Sequence, residues 1–199
     1  MKPARLLGAC ALGLLIMAGC LGRSPKTTFY MLTPLPPAAS VASAAPGGGT
    51  ALGVGPVQLP RYLDRPQIVT RRGSQLEYDE LNRWAGSLES EVLRVLGANL
   101  AVLLETDRVA VYPAEPRFAD AIRVVLDVDQ FDGERGEAVT LQARWILTTE
   151  GRGEPLAVGT SNISEPVASR HSKDLVAAHS LALTALSREI ADRIRSLEP

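Results

Sequence analysis

Two histidines, His171 and His179, flank Asp174, and together with Glu165 they supply the residue types from which a divalent-metal site or a hydrolytic triad is assembled. The histidines are eight residues apart, whereas helix neighbours lie about three or four apart, so a metal would need Glu165 or another distant ligand brought in. Ser172, His171 and Asp174 contain the residue types of a Ser/His/Asp triad, yet no Gly-x-Ser-x-Gly elbow frames the serine. Gly47-Gly48-Gly49 runs into Thr50-Ala51 and lacks the Gly-Lys-Ser/Thr ending that grips phosphate, so it reads as a flexible joint. The carboxylate pairs Asp79/Glu80 and Glu89/Glu91 occupy positions where solvated charge is the ordinary role. The expectation is no catalytic centre, no metal and no cofactor, with a hydrolase using His171 or His179 as the last-ranked alternative.

The most reactive side chain stands near the start. Lys2 and Arg5 precede an uncharged run from Leu6 to Gly19 that ends at Cys20, the layout of an export signal. That run has 14 residues, short of the roughly 18 to 20 that cross a bilayer as a helix, and no charged stop-transfer cluster follows. Met17-Ala18-Gly19-Cys20 resembles the bacterial lipobox, in which the cysteine thiol receives a diacylglycerol, although Met17 stands where Leu is usual. Leu7-Gly8-Ala9-Cys10 has similar letters but would leave only four apolar residues after Arg5, which favours Cys20 as the lipidation site. The other reading is a secretory signal with an incidental cysteine. Leu21 follows the anchor; among bacterial lipoproteins an Asp there favours the inner membrane, so its absence leans toward the outer one. Each buried acyl methylene contributes about 0.8 kcal/mol, enough for two or three chains to hold a protein without a spanning segment.

The elements behind this anchor follow from pattern and composition. The 199 residues are 46% hydrophobic and 22% charged, which excludes a disordered polyelectrolyte, a collagen-like repeat and a multispan membrane protein. Lys and Arg number 21 against 22 acidic residues, so nucleic-acid binding has no compositional support. Removal of residues 1–19 takes Lys2 and Arg5 and moves the formal charge from -1 to -3. Cys10 and Cys20 are the two cysteines, so the rest of the chain forms no internal disulfide or thiolate metal site.

Residues 20–27 read as a tether and 28–199 as one domain. Thr28–Thr33 reads as an edge strand, and Pro34–Thr50, dominated by Pro, Ala, Ser and Gly, as a mobile loop. An irregular strand is expected over Ala51–Leu59, then a hairpin of Gln67–Arg71 and Gln75–Asp79. Leu88, Val92, Val95, Leu96, Leu100, Leu103 and Leu104 share one helical face behind Ser87 as N-cap. A short strand follows at Arg108–Tyr112. Ile122, Val124, Leu126 and Val128 alternate with polar residues, as do Val139, Leu141, Ala143, Trp145 and Leu147, with a turn at Asp132–Gly136 between them. Leu156–Ser164 makes a third strand. Leu175, Ala178, Ala182, Leu186, Ile190, Ile194 and Leu197 define a second helix, with Ser172 as the expected cap. The expected fold is α+β: a single mostly antiparallel sheet with two amphipathic helices packed on one face.

The segments YLDRPQIVTR, NRWAGSL, VLGANLAVLL, TDRVAVYP, QFDGERGEAVTLQARW and AAHSLALTALSREIADRI resemble, in this order, the ABC-type transport auxiliary lipoproteins of the PqiC type. The lipobox and the start TTFYMLTPLP belong to the same resemblance. It implies a noncatalytic lipid-anchored accessory, a likeness to homo-oligomers, and a periplasmic MCE-domain partner in a system that moves lipids between membranes and supports outer-membrane integrity. A monomeric lipoprotein that itself binds lipid is the alternative; it calls for an enclosed apolar pocket of roughly 300 Å³ or more.

Within the matched segments, Asp64, Arg65 and Pro66 suit a turn-stabilising role. Tyr62, Leu63, Arg65 and Trp84 alternatively form an exposed partner surface, since Tyr, Trp and Arg dominate interface energetics; the same aromatics also suit a core. Trp145 is expected inside and Arg144, its neighbour on the opposite face, available to a rim or partner.

Overall fold

The computed structural model describes residues 25–37, 49–114, 121–149 and 154–197; Cys20 and residues 38–48 of the expected loop lie outside the described residues. Eight strands form one mixed sheet: β1 (Thr28–Tyr30), β2 (Leu52–Gln58), β3 (Gln67–Arg72), β4 (Gln75–Trp84), β5 (Val109–Val111), β6 (Ile122–Gly133), β7 (Ala138–Thr149) and β8 (Pro155–Pro166). Two helices, α1 (Leu88–Leu103) and α2 (Ser172–Arg195), complete the α+β fold.

The long pairings are antiparallel: β3 with β4, β6 with β7, and β7 with β8. The alternation seen in the sequence explains the last two, because Val124, Leu126, Val139, Leu141, Ala143 and Leu147 all turn to the core. Four other pairings are parallel: β1–β4, β2–β5, β2–β6 and a single rung of β3 with β6. Parallel neighbours need a crossover, and the chain between β2 and β5 supplies one that contains α1. The register of β2 on β6 shifts between Val54 and Val57, at the Gly55-Pro56 interruption.

Helix α1 begins as its sequence dictates, with the Ser87 hydroxyl accepting from the Ser90 N–H at 3.1 Å and Glu89 and Glu91 in the first turn. It packs on β2 and β5, while α2 packs on β7 and β8 and against α1. The expected cap of α2 is corrected: His171 holds the N-cap position, and Ser172 is the first helical residue. Ser169 does the local work, accepting from the His171 N–H at 3.1 Å and donating to the Asp174 carboxylate, while the Ser172 hydroxyl accepts from Arg135 at 2.6 Å.

Trp145 is inside and Arg144 outside, the latter paired with Asp127 at 2.8 Å. The Trp145 ring lies over its register partner Gly159, where a Cβ would come within 2.1 Å of a ring carbon. Beyond β1, the chain crosses the helix pair as a strap. Its backbone donors are taken up by helix side chains: Leu32 N–H by Glu91 at 2.9 Å, Thr33 N–H by Ser180 at 3.1 Å, and Leu35 N–H by Asn99 at 2.7 Å. Arg94 pairs with Glu91 at 2.6 Å and donates to the Leu32 carbonyl at 2.7 Å, so the buried carboxylate is neutralised where it holds the strap.

Candidate functional site

The Pro60–Pro66 segment folds into a 3₁₀ turn at Arg61–Leu63 that lies beside β3 and the far end of β6. A bulge in β6 between Val128 and Gln130 advances the alternation by one residue, so Phe131 joins the core and Asp132 falls on the opposite side. Asp132 is nevertheless 0% exposed, because Tyr62 and Arg71 cover it. The Tyr62 hydroxyl donates to Oδ2 at 2.6 Å, Arg71 makes a forked pair at 2.8 and 2.9 Å, and Gln130 donates to Oδ1 at 2.8 Å. Burial, with the Asp132 carboxylate as its acceptor, pushes the Tyr62 phenol up to about 12. Arg71 is held still more firmly protonated by Asp132.

Arg65 braces this turn from outside. Its Nε donates to the Tyr62 carbonyl at 2.9 Å, and its guanidinium lies 3.9 Å from the Tyr78 ring centroid on β4. Of the four residues considered for a partner surface, Leu63 and Trp84 are each only 3% exposed, which corrects their expected exposure. Leu63 fills the space beneath its own turn, and Trp84 meets the ring of His179 edge-on at 5.6 Å. Tyr62 and Arg65 remain half-buried and reachable from solvent.

The structure keeps the two histidines apart in environment as well as in sequence. His171 is exposed at the start of α2, whereas His179 is buried between Trp84 and Phe131, whose ring centroid is 4.8 Å away. His179 Nδ1 lies 2.8 Å from the Leu175 carbonyl, and burial pulls its pKa down despite that contact. Among the described residues, no group of three or more His, Cys, Asp or Glu side chains is arranged to hold a metal.

A second polar chain ties β1, β4, the β6–β7 turn and α2. Tyr30 donates to Asn82, Asn82 donates to Asp79, and Arg135 bridges Asp79 to Ser172. Burial of Asp79 works against ionisation, but hydrogen bonds from Asn82 and Leu81 and the Arg135 charge prevail, leaving its pKa below the ordinary value. Sequence reasoning missed Asp132, Glu91 and Asn99. The available signal was a polar residue on an otherwise apolar helical face for Glu91 and Asn99; Asp132 was masked by the β6 bulge.

Two open clefts border these elements. One of about 420 Å³ is an apolar groove between the strap, at Pro34 and Leu35, and the outer side of α2 at Leu181 and Thr184. Another, of about 290 Å³, lies between the 3₁₀ turn and the start of α1 at Ser87 and Leu88. No helix among the described residues is long and apolar enough to cross a membrane.

Comparison with known proteins gives the fold a family. A crystal structure of an uncharacterized protein superposes with a TM-score of 0.70 at 21% identity, covering 85% of this chain and 99% of that one. A Xanthomonas campestris protein of the DUF330 family superposes at 0.66, also 21% identical, covering 83% and 93%. These likenesses show a shared fold. No functionally curated protein matches the chain. The model of the ABC-type transport auxiliary lipoprotein component matches residues 30–191, from β1 through most of α2, and the chain therefore belongs to that lipoprotein family.

Proposed function

We propose that the protein is a noncatalytic auxiliary component of an MCE/ABC-type intermembrane lipid-transport system that supports outer-membrane integrity. It is held by acyl chains on Cys20 at the periplasmic face of the outer membrane, works as a homo-oligomer, and docks an MCE-domain periplasmic protein. The observation that carries this reading is the family match over residues 30–191, starting ten residues after a lipobox cysteine. The packed core agrees with a scaffold: among the described residues every buried side-chain polar atom has a partner, and Arg65 and Tyr62 offer a braced, reachable surface for a partner.

One feature favours the second reading, in which the protein itself binds lipid. The groove of about 420 Å³ beside Leu181 is apolar, although it is open along its length rather than enclosed. Purification in mild detergent followed by mass spectrometry of proteins and lipids separates the two. Co-purification of an MCE-domain protein is the expected result; stoichiometric lipid with no protein partner would favour the carrier.

A further inference from the structure

Strand β1 lies at an edge of the sheet, bonded to β4 alone among the described strands, and its side chains alternate between two environments. Tyr30 and then Leu32 turn inward, Tyr30 reaching Asn82 and Leu32 buried beneath the strap. Phe29 and Met31 turn the other way and are 63% and 53% exposed. In register, Phe29 sits beside Arg83 of β4, which pairs with Glu80 at 3.4 Å, and Leu81, in the irregular stretch of β4 just before Arg83, is 39% exposed. Phe29 and Met31 thus share the outward face of β1, with exposed Leu81 on the neighbouring strand, Lys26 exposed just before them and the Arg83–Glu80 pair alongside. Phe29 and Met31 belong to neither the Asp132 nor the Asp79 network, and Leu81 touches the latter only through its backbone N–H, which donates to Asp79 at 2.9 Å.

Apolar groups left in water on a folded domain cost free energy unless something covers them, and chain length indicates what is near. Thr28 lies only eight positions after Cys20, so a fully extended tether spans at most about 28 Å. Cys20 lies outside the described residues, but covalent reach alone bounds how far β1 stands from the acyl chains. An apolar cluster with Lys26 at its margin has the amphipathic character that settles into the headgroup and acyl boundary. Among the described residues, the other large exposed apolar side chains of the strands are Tyr78 of β4, covered on one face by Arg65, and Ile146, Leu156 and Val158 on β7 and β8, away from β1 in the sheet.

We infer that Phe29, Met31 and Leu81 form a second membrane contact beside the lipid anchor, seating the β1 edge of the sheet in the bilayer interface. The lipid chains set the distance to the membrane, and this contact sets the orientation, turning β8 away from the bilayer. The inference rests on Cys20 as the acylated residue.

The test uses the full lipidated chain in vesicles of phosphatidylethanolamine and phosphatidylglycerol. Phe29→Cys, Met31→Cys and Val158→Cys are each labelled with a polarity-sensitive fluorophore; once Cys20 is acylated and the signal run removed, the introduced thiol is the free one. All three positions are exposed, so folding is retained. Labels at positions 29 and 31 should shift to the blue and be quenched several-fold more by lipid-borne nitroxide than the label at 158. Equal quenching at all three positions overturns the contact, as does a blue shift without nitroxide quenching, which would mean that protein covers the patch. Vesicle flotation reads the anchor separately. If Cys20→Ala floats as well as the native chain, acylation at Cys20 fails, while quenching at 29 and 31 on those vesicles still supports the contact.

Discussion

Arg71 and Asp132 form a forked ion pair in which the carboxylate is wholly buried and the guanidinium side chain is 29% exposed. That difference makes the two truncations unequal. Arg71→Ala strands a charge that cannot reach water, for which about 3–5 kcal/mol is typical, whereas Asp132→Ala leaves Arg71 able to hydrate. Denaturant unfolding should rank Arg71→Ala as the more damaging, with the double variant recovering part of the loss. The same site sets an alkaline limit. Tyr62 is pushed up to about 12, above its ordinary 10.0, so its contribution to stability is complete below pH 10 and lost as pH rises toward 12. Tyrosinate absorbance should show a late-ionising step that Tyr62→Phe removes.

His179 makes stability fall in mild acid. Burial lowers its pKa from an ordinary 6.5, so the unfolded chain binds the extra proton; the contribution is present above pH 6.5 and is lost as pH falls through the lowered folded value. Melting temperature should drop on acidification in the native protein and drop less steeply in His179→Leu. His179→Ala, which empties the space between Trp84 and Phe131, should cost about 2–4 kcal/mol, while exposed His171→Ala stays within about 0.5 kcal/mol. At matched folded levels, the double His→Ala variant should retain envelope function. Loss of function with normal folding and assembly would restore a metal or hydrolase role.

Gly159 is required by its neighbour. Any Cβ there would sit 2.1 Å from the Trp145 ring, so Gly159→Ala should cost about 1–3 kcal/mol through displacement of the ring. Pairing it with Trp145→Leu should make the second substitution less harmful than it is alone, measured as a double-mutant cycle in denaturant.

Arg65→Glu tests the docking surface. Losing the Tyr78 stack and the hydrogen bond to the Tyr62 carbonyl should lower stability by about 1–2 kcal/mol. If Arg65 also meets the MCE-domain partner, co-purification should fall further than the loss of folded protein accounts for. Unchanged co-purification by well-folded Arg65→Glu removes Arg65 from the interface.

Cys20→Ala should abolish acylation and release the chain from the membrane. Fatty-acid labelling checks this directly, and undiminished incorporation would exclude Cys20.

Both helices were legible because one-sided leucine spacing leaves little choice of face, and α1 carries a serine cap where its pattern begins. The β6–β7–β8 meander was equally plain, since short turns join antiparallel neighbours and alternation assigns each side chain. The parallel pairings of β1 and β2 were not, because their partners are distant in sequence and nothing local specifies register. Trp84 and Leu63 sit in a Pro- and Arg-rich stretch whose letters suit a surface, yet the 3₁₀ turn and β4 direct both inward. Ser172 had the right letter one position too late: His171 stands at the cap without a side-chain bond, and Ser169 ties the His171 N–H to the Asp174 carboxylate instead.

The strap has a mechanical consequence. A tether fixed to a membrane transmits any pull on the domain to Thr28, the first residue of β1. When that pull is in line with β1, the rungs pairing Thr28, Phe29 and Tyr30 with Asn82, Arg83 and Trp84 are strained together in shear rather than opened one after another. Behind them, the grips of Glu91, Ser180 and Asn99 on the next backbone segment divide the force between two helices. Tension is thereby spread over both layers of the fold before any single strand yields.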